Sequence, residues 1–225
     1  MDSYADFPGA DTHDGDQLPG DQPSNEAAAF MRAPHFTAAA YYDQARSRTY
    51  ACCFSLENSD YIWTHYGSGD AKGKICVVFD FTRLRERLNA SLDPATARLV
   101  CENGITCHQI FNVNYGIVQY VDRQQHRAND QHLPNPVQYA FTKDIAFSQE
   151  RELRIALSAL GIGHFVLDDG STLEFPPNLQ APLDFRAAIA EGTISQILCA
   201  LHADRTYFQG ELARLGIHPA DGSDV

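Results

Sequence analysis

The run Lys74 to Phe81 (K-I-C-V-V-F-D-F) constrains the fold of this chain more than any other segment. Its β-branched and aromatic residues follow one another without a polar face between them. That continuity predicts a central strand buried on both sides, not one that alternates between core and solvent. Such a strand needs neighbours, and the sequence offers several. Thr49 to Leu56 (T-Y-A-C-C-F-S-L), Val113 to Val121 (V-N-Y-G-I-V-Q-Y-V), Glu150 to Leu157 (E-R-E-L-R-I-A-L) and Thr193 to Leu201 all read as strands. Shorter pieces are expected at Tyr139 to Thr142 and at His164 to Leu167, the latter closed by an Asp169-Gly170 turn.

Helical signals lie around these strands. Thr37 to Arg46 follows Pro34, which suits a first turn and not an interior. Thr82 reads as an N-cap for a short helix with Leu84 and Leu88 four apart. Asp204 to Leu215 forms a last helix, stopped by Gly216. The prolines and polar residues of 122–136 make a long loop. The class that results is α+β, a bent and mainly antiparallel sheet flanked by helices.

Charge divides the chain. Of its net −12, seven acids lie between Met1 and Ala27 with no Lys or Arg, and Asp221 and Asp224 lie at the end. Without those nine the remainder is near −3. The expected organisation is a disordered acidic leader over 1–27, one α+β domain over 28–218 and a disordered tail over 219–225. An acidic surface disfavours nucleic-acid backbones, which need Lys and Arg. No run of about 18 apolar residues is present, so no membrane span is expected. The first 27 residues also lack a positive start and an apolar stretch, so no secretory signal is expected and the compartment read from this is the cytoplasm. The six cysteines fit that reading as reduced thiols. None forms a C-x-x-C pair, and Cys101, Cys107 and His108, the one group able to gather a metal, lack the spacing of a zinc motif, so no metal is expected.

Two constellations carry candidate chemistry. Trp63 to Gly73 (W-T-H-Y-G-S-G-D-A-K-G) concentrates an indole, an imidazole, a phenol and a lysine between two strands. Trp63 and Tyr66 can stack on a planar ring while His65 donates a proton or hydrogen bond. They can equally close a core edge, with the glycines only making turns. The second constellation is Glu150, Glu152 and Arg154, which period-two geometry places on one strand face. Paired carboxylates can hold sugar hydroxyls and stabilise an oxocarbenium-like state. The same spacing also describes a solvated face whose charges cancel.

The run C-F-S-L-E-N-S-D-Y-I-W-T-H-Y-G followed by K-G-K-I-C-V-V-F-D-F resembles an uncharacterised bacterial family, domain of unknown function twenty-nine seventy-one. Ile117 to Val121 (I-V-Q-Y-V) is similar to its V-x-Y strand, and Lys143 to Arg154 (K-D-I-A-F-S-Q-E-R-E-L-R) to its K-x-x-x-W-x-y-E-x-E-x-R motif. Phe147 stands where the family has Trp, and an initial family stretch is replaced here by the leader and one helix. The order of these segments also resembles the ADP-ribosyltransferase layout, in which a late strand bears E-x-E. That resemblance implies an enzyme processing NAD, without a metal, within a bacterial defence, toxin or effector system. It gives Glu152 to the nicotinamide ribose, Glu150 to the acceptor and Ser55 to the support of Glu152. Trp63, His65, Tyr66 and Arg154 would line the cofactor pocket. The alternative is a non-catalytic module that binds a small nucleotide or a protein and has lost part of the family's pocket.

Overall fold

The computed structural model describes residues 11–28, 37–67, 71–91, 98–100, 106–107, 111–128, 135–159, 164–175, 178–179, 183–214 and 216–217. The first ten residues, the tail over 219–225, Cys101 and His108 lie outside the described residues. The chain forms two compact units in place of the single domain expected over 28–218. One unit comprises Met1–Glu57 and Pro94–Gln180, the other Asn58–Asp93 and Ala181–Val225. No composition shift marks these crossings, because the chain passes back and forth between the units.

The first unit is built on strands β1 (Thr49–Ser55), β5 (Asn112–Ile117) and β8 (Glu152–Ser158), with β8 between the other two and both pairings antiparallel. The register sets Cys53, Arg154 and Gly116 side by side across the sheet. Helix α1 (Gln22–Ala28) and helix α2 (Ala38–Ser47) precede β1, and Thr37 caps α2 by accepting from the Ala40 amide at 3.1 Å. A 3-10 helix, Pro136–Phe141, lies against the face that carries Arg154; the adjoining strand β7 (Thr142–Asp144) pairs in parallel with β6 (Gln119–Val121). Strands β3 (Arg98–Val100), β4 (Thr106–Cys107) and β9 (His164–Val166) form a further antiparallel sheet. The architecture is α+β, with its strands shared among several small sheets.

Gly116 explains how the 3-10 helix comes so close to the sheet. A Cβ there would stand 2.9 Å from Cδ1 of Phe141, so the aromatic ring rests on bare backbone. Three sequence expectations change in this region. Tyr139 to Thr142 is mostly 3-10 helix, because Asn135 and Pro136 start a turn that the Asn135 side chain caps at the Val137 amide. The strand expected over Val113 to Val121 is interrupted at Val118, whose amide turns to the Glu152 carbonyl. Glu150 is not on the strand either. It ends a second 3-10 helix (Ile145–Glu150), and Arg151, with φ of 50°, resets the chain before β8 begins.

The second unit contains α3 (Asp60–His65), β2 (Ile75–Phe79), α4 (Phe81–Ser91), α5 (Phe185–Ala190), β10 (Ile194–Cys199) and α6 (Arg205–Arg214). The run that read as a central strand is β2, but it is only half-buried and pairs with β10 as its one strand partner among the described residues. Apolar continuity here marks a strand of a two-stranded ribbon. The cap of α4 is Asp80 and not Thr82, since the Asp80 carboxylate accepts from the Arg83 amide at 3.0 Å. Gly216 stops α6 as expected, with φ of 73°.

The acidic leader is the largest correction. From residue 11 onward it is part of the first unit. Leu18 is completely buried in a cluster with Ala38, Tyr42, Val121 and Tyr139. Asp14, Asp21 and Asn25 are buried with it. Asp21 accepts from the Tyr139 hydroxyl at 3.0 Å and from the Ala128 amide, and Asn25 donates to Gln17 at 2.8 Å. Composition predicted disorder because so few apolar residues lie here; one Leu and three well-partnered polar side chains are sufficient to dock the segment. Leu18→Ala should therefore cost about 2–5 kcal/mol, and a chain starting at Ala28 should melt on the order of 10 °C lower or more, given roughly 2–4 °C per kcal/mol. Calorimetric melting of both against the full chain checks this; midpoints within about two degrees would mean the segment contributes nothing.

Candidate functional site

Alternation along β8 sends Glu152 and Arg154 to the same face, beneath the 3-10 helix. Both are buried, Arg154 to 0% exposure and Glu152 to 6%. A guanidinium cannot be buried without partners, and this one makes four hydrogen bonds. Its Nη1 and Nη2 grip the two oxygens of Asp14 at 2.8 and 2.7 Å. Its Nε donates to Oε2 of Glu152 at 2.6 Å, and Nη1 also reaches the Ala140 carbonyl at 2.8 Å. The fork on Asp14 is the bidentate geometry that Arg is shaped to make.

Lys143 completes the group. From β7 its ammonium donates to Oε1 of Glu152 at 2.7 Å and to Oε2 of Glu150. The Phe147 ring covers it, 4.8 Å from Nζ to the centroid. Three carboxylates thus surround two cations: Asp14, Glu150 and Glu152 about Lys143 and Arg154. Burial works against the charged form of every member. For Asp14 burial prevails over its bonds to Arg154, and its pKa is raised. For Glu152 burial, which alone would raise its pKa, is outweighed by its side-chain hydrogen bonding and by the charges of Arg154 and Lys143, so its pKa falls well below the usual carboxylate range. Lys143 is likewise desolvated, yet the carboxylates of Glu152 and Glu150 hold its pKa above the ordinary value.

Ser55 sits opposite Glu152 in the register. Its hydroxyl does not reach that carboxylate. It lies 3.0 Å from the Glu150 carbonyl and 2.9 Å from the Glu57 carbonyl, fixing the turn before β8. The backbone amide of Glu152 is bound by the Tyr120 hydroxyl at 2.9 Å. Glu150, Glu152 and Arg154 are therefore brought together as expected, but from a 3-10 helix and a strand, and in the interior.

Trp63, His65 and Tyr66 belong to the second unit and lie at the end of α3. The Trp63 indole donates to Asn58 at 2.6 Å, and the His65 ring stacks on Tyr61 with centroids 4.1 Å apart. Lys74 donates to the carbonyls of Trp63 and Tyr66 at 2.7 and 2.9 Å, satisfying the open end of the helix. Gly67 and Gly73 take positive φ, and a Cβ on Gly73 would stand 2.7 Å from Cα of Ala203. These contacts are local to the segment: no residue of α3 is buried, and Tyr66 is exposed, so Trp63 and Tyr66 do not fill a core edge.

A cleft of about 700 Å³ opens in the first unit beside β5 and the 3-10 helix Pro136–Phe141. Asn114, Tyr115, His126, Arg127 and Phe141 are among its lining residues; none of Glu150, Glu152, Arg154, Ser55, Trp63, His65 or Tyr66 is. No cluster of metal-ligating side chains occurs among the described residues. Two residues of the buried group were missed as site members. Lys143 opens the K-to-R motif and could have been found there, whereas nothing local distinguishes Asp14 from the other acids of the leader.

The depressed pKa of Glu152 has a consequence for acid stability. Its contribution is complete above the carboxyl's unfolded value and is lost as pH falls through the lower folded one. Glu152→Gln should cost about 3–5 kcal/mol at neutral pH by leaving Arg154 and Lys143 short of a charge. The melting gap between wild type and variant should then narrow as pH falls below the ordinary carboxylate range. A gap that stays constant from pH 7 to pH 3 would contradict the assignment.

Compared with protein-family models, with curated proteins and with solved structures, the chain finds no match.

Proposed function

We propose that this chain is a non-catalytic binding module. The observation that supports this reading is the mutual saturation of Glu150, Glu152 and Arg154 inside the first unit. An ADP-ribosyl-transferring carboxylate has to meet the ribose of NAD at an open cleft, with a free oxygen for the developing cation. Both oxygens of Glu152 are already held by internal cations, one by Lys143 and the other by Arg154. A ribose could take their place only by stranding a buried ammonium or guanidinium, at a cost of about 3–5 kcal/mol. Substrate binding would have to supply that before any catalysis began. The E-x-E-x-R pattern serves here to lock the sheet to the segments above it, and ligand contact falls to the cleft beside β5.

No helix among the described residues is long and apolar enough to cross a membrane. Cys52, Cys53, Cys76 and Cys199 form no disulfide, which agrees with a reducing cytoplasmic setting for the module.

The test is made on two purified full-length samples, wild type and Glu152→Gln. The expected outcome is no NAD consumption above a protein-free blank in either, together with a lower melting temperature for the variant. Turnover by the wild type that drops by about 10²–10³ in the variant, the usual loss for one electrostatic stabiliser, with melting unchanged, would replace this reading by the enzymatic one.

A further inference from the structure

The cleft beside β5 differs in chemistry from the chain that encloses it. The chain carries 29 acidic and 17 basic residues, yet among the described residues no carboxylate lines the cleft, while His126 and Arg127 stand together on its wall. These two are held in place from below. The amide of the next residue, Ala128, donates to the buried Asp21 carboxylate at 3.1 and 3.2 Å. Gly20 leaves space for the Arg127 stem, since a Cβ there would come within 3.0 Å of Arg127 Cγ. The docked N-terminal segment thus fixes a cationic corner in an otherwise acidic molecule.

Two other features point to the kind of ligand. Phe141, seated on Gly116, places aromatic surface in the cleft. Two amides line it with their roles already assigned by their neighbours. Asn114 spends its Nδ2 on the Ser158 hydroxyl at 3.1 Å, which leaves Oδ1 to accept. Asn135 spends Oδ1 on the Val137 amide at 3.1 Å, which leaves its NH₂ to donate. Aromatic surface, one acceptor, one donor and a basic corner match a base, its polar edge and a phosphate.

Resting on the binding-module reading, we infer that the cleft binds a nucleotide. The base packs on Phe141, its edge bonds to Asn114 and Asn135, and the phosphate is taken by Arg127 and His126. The test is calorimetric titration of the full chain with AMP, with adenosine and inorganic phosphate as separate arms. AMP is expected to saturate, and adenosine to bind about tenfold more weakly for want of the charge-assisted contact. Phosphate alone should bind more weakly than either. Arg127→Gln should reduce AMP affinity about tenfold while leaving adenosine binding and melting temperature unchanged. Phe141→Leu, checked for an intact melting transition, should weaken AMP and adenosine by the same factor.

Absence of AMP binding at millimolar concentration, equal affinity for AMP and adenosine, or indifference to Arg127→Gln would each overturn the nucleotide site. Phosphate binding as tightly as AMP would reduce it to a simple anion site and overturn it likewise. These failures are separable from failure of the module reading, which depends on NAD turnover and the Glu152→Gln comparison and not on AMP.

Discussion

The burial of the Arg154 guanidinium is the constraint on which the first unit is arranged. An unpaired cation at that depth would carry a desolvation cost of several kcal/mol, so the fold must bring it carboxylates. One comes from two residues back on the same strand, Glu152, at no topological cost. The other has to arrive from elsewhere, and it comes from Asp14, 140 residues away in sequence. The Ala140 carbonyl accepts a further hydrogen bond from Arg154, which ties the 3-10 helix to the same group. One side chain thereby joins the N-terminal segment, the central strand and the layer above it. Buried ion pairs of this kind add little net stability over an apolar core of equal volume. Their effect is specificity: only one placement of the N-terminal segment satisfies Arg154.

That logic changes what the acids at the start of the chain mean. Asp14 and Asp21 are buried and bound, the first by Arg154 and the second by Tyr139 and Ala128. Asp16 remains nearer the surface and pairs with Arg46 at 2.7 Å. A charge run averages over such differences, and the average describes none of them. The segment also carries consequences outward, since Asp21 and Gly20 position the turn that bears His126 and Arg127.

The local parts of the fold were legible in the sequence, and the long-range parts were not. The helix expected over Thr37 to Arg46, the strand expected over Thr49 to Leu56, the Asp169-Gly170 turn and the Gly216 stop all follow from rules that act within a few residues. Errors came where a distant contact decides. Tyr139 has strand-like neighbours, but it is drawn into a 3-10 helix and buried against Leu18 and Tyr42. Glu150 fits the period of β8, yet Arg151 adopts a left-handed conformation and leaves it outside the strand. In the candidate site, the meeting of Glu150, Glu152 and Arg154 was legible from spacing. Their burial was not, because it depends on Asp14 and Lys143 arriving from other elements.

An E-x-E-x-R strand is compatible with two opposite uses, and the spacing is the same in both. What separates them is the number of cations that reach the carboxylates from within the protein. A catalytic pair keeps an oxygen unsatisfied so that charge developing on a substrate can claim it. Here Lys143 bridges both carboxylates while Arg154 takes the remaining oxygen of Glu152, and the Phe147 ring covers the lysine. Asp14 then satisfies the other side of Arg154, so the guanidinium has no reason to turn toward a ligand. The open chemistry of this unit is displaced by one strand, to β5, where Gly116 gives up its side chain and Phe141 fills the space above it. Across the register Gly116 lies beside Arg154. The residue that seats the aromatic wall of the cleft is thus the register neighbour of the buried guanidinium.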